Sequence, residues 1–223
     1  MYPLARLYVI STLRNSGTWL VVLGATFFAW AGIALDLFGF DGSETRSIGE
    51  TTGTLEIAAV LLAIRARILG IASGDSKGFR AVLQHRTGAL PLELGCNIGA
   101  GLGAFVACLP GSLSIFAIYN LFPYSGVAAG ALLGIGLLAE ASLAAAWAGL
   151  ASKLAGRVPA IAIAVGAFVL ARCNVPAALR AILPAPLSLS ADRLLVDTIC
   201  ALTATLGLAM VTAVLPESGT ESA

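Results

Sequence analysis

Charge is what this chain has least of. Only 11% of its 223 residues are Asp, Glu, Lys or Arg, against about 25% in an ordinary soluble domain. A chain this poor in charge cannot cover a water-facing surface, which argues against a soluble enzyme or a soluble binding module. There is a single histidine, which excludes a multi-histidine metal centre. The four cysteines (Cys96, Cys108, Cys173 and Cys200) lie in or beside apolar stretches without metal-ligand spacing, so they read as small hydrophobes. No G-x-x-x-x-G-K-[ST] loop is present to cradle ATP phosphates; GDSKGFR at 74–80 has the residue types without the spacing. H-E-x-x-H and G-x-S-x-G are missing, and no nucleophile with an activating base is legible. The chain is therefore expected to carry no catalytic set or cofactor site of its own, and not to be an enzyme. A net charge of +1 gives no case for nucleic acid.

What the chain has in excess is apolar surface: 58% of residues are hydrophobic and the mean hydropathy is +0.93. A spanning helix needs about 20 mostly apolar residues, and six such stretches are present, at about Thr18–Phe38, Thr54–Ile71, Leu92–Tyr119, Tyr124–Ala151, Val158–Ala171 and Leu194–Leu215. The expected fold is therefore an all-α integral membrane protein, one domain over residues 1–223 with about six transmembrane helices. The fifth stretch is short, with Pro159 in its first turn, where proline is tolerated. Ala29-Trp30-Ala31 mimics a signal-peptidase site, but the first stretch is long enough to span, so a retained helix is the stronger reading.

Orientation follows from Lys and Arg in the short loops. With the N-terminus inside, Arg6, Arg14, Arg65, Arg67, Lys77, Arg80, Arg86, Lys153 and Arg157 face the cytoplasm, and Arg46, Arg172, Arg180 and Arg193 face outward. The bias places both termini in the cytoplasm of a multi-pass protein of the inner (cytoplasmic) membrane.

The connections carry their own signals. Residues 3–15, PLARLYVISTLRN, put Leu4, Leu7, Tyr8 and Leu13 on one face, which predicts a short amphipathic helix lying at the membrane interface. Residues 74–91 form the longest cytoplasmic connection. Gly74, Asp75, Ser76 and Gly78 are turn and cap residues. Phe79, Val82 and Leu83 then recur at helical spacing among Arg80, Gln84 and Arg86, closed by Gly88 and Pro91. Ala177–Leu183, between proline breaks, is expected to form a further short helix on the outer side. The tail at 216–223 is polar and reads as disordered.

Two glycine ladders stand out: Gly95, Gly99 and Gly103 in the third stretch, and Gly126, Gly130 and Gly134 in the fourth. Glycine every four residues makes a flat stripe that admits another backbone closely. The two ladders sit at opposite ends of an antiparallel hairpin, so each is expected to pack on another helix or another subunit rather than on its fellow. Glu140, Asp197 and Glu56 lie at membrane depth, where ionisable groups face a partner or a water-filled path. Glu140, with Asn97 and Asp197, is either a pathway residue or a carboxyl that ties helices together. Asp36, Glu93, Arg65 and Arg67 lie near span ends and are expected to reach the interface.

The layout resembles the permease subunits of type-2 ABC exporters (ABC-2 type), most closely compact members such as the haem-exporter B subunits. The residues that carry the resemblance are PLARLYVISTLRN before the first span and GDSKGFRAVLQHRTGALPLELG after the second, with Asp75, Gly78, the 79–86 helix, Pro91 and Glu93-Leu94-Gly95 in the family's order. The departure is a basic rather than partly acidic 79–86 helix, which leaves the substrate class open. The resemblance implies a coupling helix at 79–86 that docks a separate ABC ATPase carrying the ATP and Mg. Asp75, Gly78, Phe79, Arg80, Val82, Leu83 and Arg86 would make the contact. A second permease chain, like or unlike, would complete the export path. Two other classes remain open on the residues alone: an ATP-independent secondary transporter or channel using Glu140 and Asp197, and a non-transporting membrane scaffold.

Overall fold

A computed structural model describes residues 2–37, 44–69, 76–121, 127–173, 176, 179, 181–184 and 191–215; the side chains of 2–3, 35–37, 44–52, 76–81, 115–121, 127–133 and 191–192 are outside the description. The described elements are helices: α1 (Tyr2–Arg14), α2 (Ser16–Leu37), α3 (Glu44–Leu69), α4 (Ser76–Thr87), α5 (Ala89–Leu121), α6 (Val127–Ala155), α7 (Arg157–Arg172) and α8 (Ala191–Val214). The greater part of each apolar stretch falls in one of them; 38, 70–71 and 124–126 lie outside the described residues. The largest difference is α3, which begins at Glu44 rather than near Thr54. Its first turns are polar, and a helix whose backbone bonds are made internally can run on past an apolar segment into water. The tail at 216–223 and most of 173–190 lie outside the described residues.

Four helices among the described residues are long and apolar enough to cross a membrane, over Ser16–Ala34, Ala89–Ser114, Gly134–Ala155 and Arg193–Val214. They make this a membrane-embedded helical protein. The outward faces agree: Leu20, Leu23, Phe27 and Phe28 of α2 are exposed together, far more apolar surface than a soluble monomer leaves open. α8 is inside out by the standards of a soluble helix. Thr198, Thr205 and Thr212 are buried, while Leu195, Val196, Ile199, Leu202, Leu206, Met210 and Val211 are exposed. The buried hydroxyls donate to the carbonyls of Leu194, Ala201 and Leu208 one turn back, at 2.7, 2.7 and 2.6 Å, so the inward polar face leaves no bond unmade.

α3, α5 and α6 form the centre. Their shared surface is built from small side chains: Ala58, Ala59 and Ala63 on α3, Ala100, Ala104 and Ala107 on α5, Ala141 and Ala145 on α6. Van der Waals contact between closely approaching backbones replaces the hydrophobic drive that lipid does not supply. The closest approach is at Gly101, where an added Cβ would sit 2.8 Å from the backbone nitrogen of Ser142 and 2.9 Å from its Cα. α6 and α7 are separated by Gly156 alone, at φ 82°. The chain reverses through a left-handed residue, which glycine adopts without the Cβ penalty.

The ladder Gly95, Gly99, Gly103 is filled by α1 of the same chain. Added Cβ atoms there would meet Leu4 Cδ2 at 3.0 Å, Ala5 Cα at 3.1 Å and Thr12 Oγ1 at 2.8 Å. The contacts advance together along both helices, so α1 runs lengthwise beside α5 in the same direction. Its Tyr8 and Thr12 are buried. This differs from a helix laid flat at an interface on an apolar stripe: Leu4 and Tyr8 of the expected stripe face a glycine groove, whereas Leu7 is exposed, with Ile10. The same order continues on α2, where Thr26 packs at Gly111 and Trp30 Nε1 donates to Ser114 Oγ at 3.1 Å. Asn15 breaks the two helices. Its Oδ1 accepts from Gly17 N and Arg65 Nη2, both at 2.9 Å. In the second ladder, Gly134 faces Phe105 of α5 at 3.7 Å. Gly126, and the surroundings of Gly130, lie outside the described residues.

Candidate functional site

Ionisable side chains enter the bundle in two layers. The first joins α3, α5, α6 and α8. Arg67 pairs through Nη2 with Glu93 Oε2, and its Nε donates to Asn97 Oδ1 at 2.9 Å. Lys153 Nζ lies 3.4 Å from Glu93 Oε1 and donates to the backbone oxygen of Thr212 at 2.6 Å. Room for the guanidinium comes from Gly149, where a Cβ would lie 2.8 Å from Arg67 Nη2. Glu93 and Arg67 are 2% and 4% exposed. They do not reach an interface, contrary to the expectation from their positions near span ends. Asn97 is buried and accepts from Arg67. The pairing stabilises buried charges that would otherwise be costly in lipid. Arg65 does behave as a span-end residue, half-buried and bonded to Asn15.

The second layer is built from α3, α6, α7 and α8. Arg172 Nη2 bonds Glu56 Oε1 at 2.8 Å, and its guanidinium lies 3.8 Å over the Phe168 ring. Arg172 is also the last residue of α7, where a cation complements the helix dipole. Glu140 is 2% exposed, and neither of its carboxyl oxygens has a hydrogen-bond partner. Its charged neighbours are Glu56, Arg172 and Asp197. The layer thus holds three carboxyls and one guanidinium, with Glu56 as the carboxyl paired to it. On α6, Glu140 and Gly149 are nine residues apart, so the two layers are separated by about 14 Å at 1.5 Å per residue.

The four residues reach one level because α7 is short. Its 16 residues cover about 24 Å, less than the roughly 30 Å of a hydrocarbon core. It ends opposite Glu140, counting equally from the Gly156 reversal. The described part of the segment after it sits back on the bundle. Leu183 packs with Ala167, Ala171 and Trp147, and Trp147 Nε1 donates to the Ile182 carbonyl at 2.8 Å. Replacing Trp147 with Phe should leave that carbonyl without its donor at a cost of about 1 kcal/mol. The check is faster amide hydrogen exchange confined to 179–184, with α6 unchanged.

The structure therefore brings Glu140 and Asp197 together, and it adds Glu56 and Arg172 to them. Of the cysteines, Cys96 and Cys108 are buried as their apolar surroundings imply, whereas Cys173 is exposed at the end of α7. At the other end of the bundle, α4 is a distinct helix between α3 and α5. Val82 is 56% exposed, Gln84, His85 and Arg86 are exposed with it, and Leu83 turns inward onto the central core. Gly78, Phe79 and Arg80 belong to α4, but their side chains, and Asp75 altogether, lie outside the described residues. Gly88, at φ 84°, makes the one-residue break from α4 into α5. Comparison of the chain with protein-family models, with curated proteins and with solved structures returned no match.

Proposed function

We propose that this chain is the membrane-spanning permease subunit of an ABC transporter, an exporter driven by a separate ATPase. The observation that supports this reading is α4. It is a polar helix inserted between α3 and the apolar α5, anchored by Leu83 and free on the Val82–Arg86 face. A helix placed there transmits motion: it is joined to α5 through Gly88 alone, so a push on α4 is delivered to the start of α5. α5 carries Glu93 and Asn97 of the first charged layer and the groove that holds α1.

In this reading α2, α3, α5, α6, α7 and α8 are the six crossings, α7 being the short fifth. The basic bias puts α4, the first charged layer and both termini on the cytoplasmic side of the inner membrane. The Glu56–Glu140–Arg172–Asp197 layer then belongs to the outward half. The ATPase supplies ATP and Mg, and a second permease chain, a copy or a different protein, forms the other wall of the path. Replacing Val82 with Asp, or Arg86 with Glu, alters only exposed positions. It should cut copurification of an ATPase encoded beside this chain at least tenfold without changing the amount of folded protein. Unchanged recovery of the ATPase with both substitutions would contradict the docking role.

The second charged layer favours one other reading, a transporter driven by an ion gradient through Glu140 and Asp197. Flux in liposomes without ATP, lost in Glu140→Gln, would support it over the ATP-driven form.

A further inference from the structure

The second charged layer holds more acid than base. Glu140 on α6 has two acidic neighbours within electrostatic range, Glu56 on α3 and Asp197 on α8, and one guanidinium, that of Arg172 on α7, which pairs with Glu56. α5, also packed on α6, brings no further charge here, because its only charged residue is Glu93 in the other layer. Arg172 is already committed to Glu56 at 2.8 Å. Glu140 is therefore a carboxyl sealed from solvent, with no guanidinium, hydroxyl or amide on either oxygen and the Glu56 carboxyl beside it. An ionised group in that position needs a compensating cation.

The geometry restricts which cation fits. Both Glu140 oxygens are closed off by protein atoms, and a dehydrated metal ion needs several oxygen ligands at once. Among the described residues no three His, Cys, Asp or Glu side chains, these three carboxyls included, stand close enough together to hold one metal ion. A proton needs neither a cavity nor further ligands. Exposure also rises across the layer, from Glu140 and Glu56, both buried, to Asp197, half-buried, and Arg172, with 28% of its side chain exposed. Exchange between Glu140 and the outside of the bundle would run along that gradient.

We infer that Glu140 is a proton-binding site of this protein, exchanging with water by way of Asp197. In the exchange a hydronium ion gives up its proton, an O–H bond forms on the Glu140 carboxyl, and water is left behind. Release reverses the step, with the carboxyl of Asp197 as the intermediate acceptor. Arg172 sits beside both Glu56 and Glu140, so the charge left on Glu140 after release competes with Glu56 for the guanidinium. Proton loss is thereby linked to the position of the end of α7. The inference concerns this chain alone and holds whichever energy source drives transport.

Infrared spectroscopy of the purified full-length chain in lipid nanodiscs tests it without any partner. At neutral pH the wild type should show a C=O band of a protonated carboxyl that is absent from Glu140→Gln and kept, at a shifted position, in Glu140→Asp. Transfer to D2O should move the band down, and Asp197→Asn should slow that shift at least tenfold. A spectrum without the band, a band that survives Glu140→Gln, or a band unmoved by D2O would overturn the site. An unchanged exchange rate in Asp197→Asn would overturn the route. Because no ATPase is present, failure here is separate from failure of the docking experiment on α4.

Discussion

Replacing Glu93 with Gln should destabilise the bundle by about 3–5 kcal/mol, the usual result of removing one partner from a buried ion pair. The cause is the two cations left behind. Arg67 and Lys153 both lie against this carboxylate, and a neutral amide in its place compensates neither. Unfolding in a detergent or denaturant series measures the loss. A second substitution, Arg67→Met in the Glu93→Gln background, should recover part of it, because the uncompensated charge is then gone. If the single variant were as stable as the wild type, the pair would be an exposed contact and the packing of α3 on α5 would be misplaced.

The second large effect is steric. Gly101→Val should cost about 1–3 kcal/mol, because the new Cβ meets the backbone of Ser142 rather than a side chain that can turn away. Gly134→Ala should have the opposite sign. The nearest atoms there are those of the Phe105 ring at 3.7 and 3.8 Å, ordinary contact distances, and alanine is favoured over glycine in a helix by about 1 kcal/mol. Melting temperatures of the two variants in the same detergent should therefore move in opposite directions. A shift of equal sign and size would show that α5 and α6 do not approach at Gly101.

These two residues mark what was legible in the sequence and what was not. Hydropathy located the helices well, because a lipid-facing segment must be continuously apolar: α5 and α6 contain the predicted stretches almost whole. It missed the first turns of α3, whose polar residues carry no hydropathy signal. The ladder Gly95–Gly99–Gly103 was visible through its spacing, and its occupant, α1, lies in the same chain. Gly101, Gly111 and Gly149, which also meet a neighbouring chain segment closely, follow no four-residue repeat; only the three-dimensional register reveals them.

The charged layers divide the same way. Glu140 was marked by depth alone. Glu56 and Arg172 are 116 residues apart in sequence, and nothing local pairs them. The first layer left a usable signal: Arg67, Glu93 and Lys153 sit at one end of three successive apolar stretches, where antiparallel connection brings them level. Placing them at the interface ignored that alternative. Snorkelling is available to a long side chain on an outer helix, but α3 and α5 are central, and lipid headgroups are out of reach there.

The central claim is that these helices are embedded in a bilayer with α4 on its cytoplasmic face. Cysteine labelling tests it most directly. In a variant whose four native cysteines are replaced, a single cysteine introduced at Val82 should resist a membrane-impermeant maleimide in intact cells and react fully once the membrane is inverted. Labelling from outside intact cells, or recovery of the folded chain from buffer without detergent, would contradict the account.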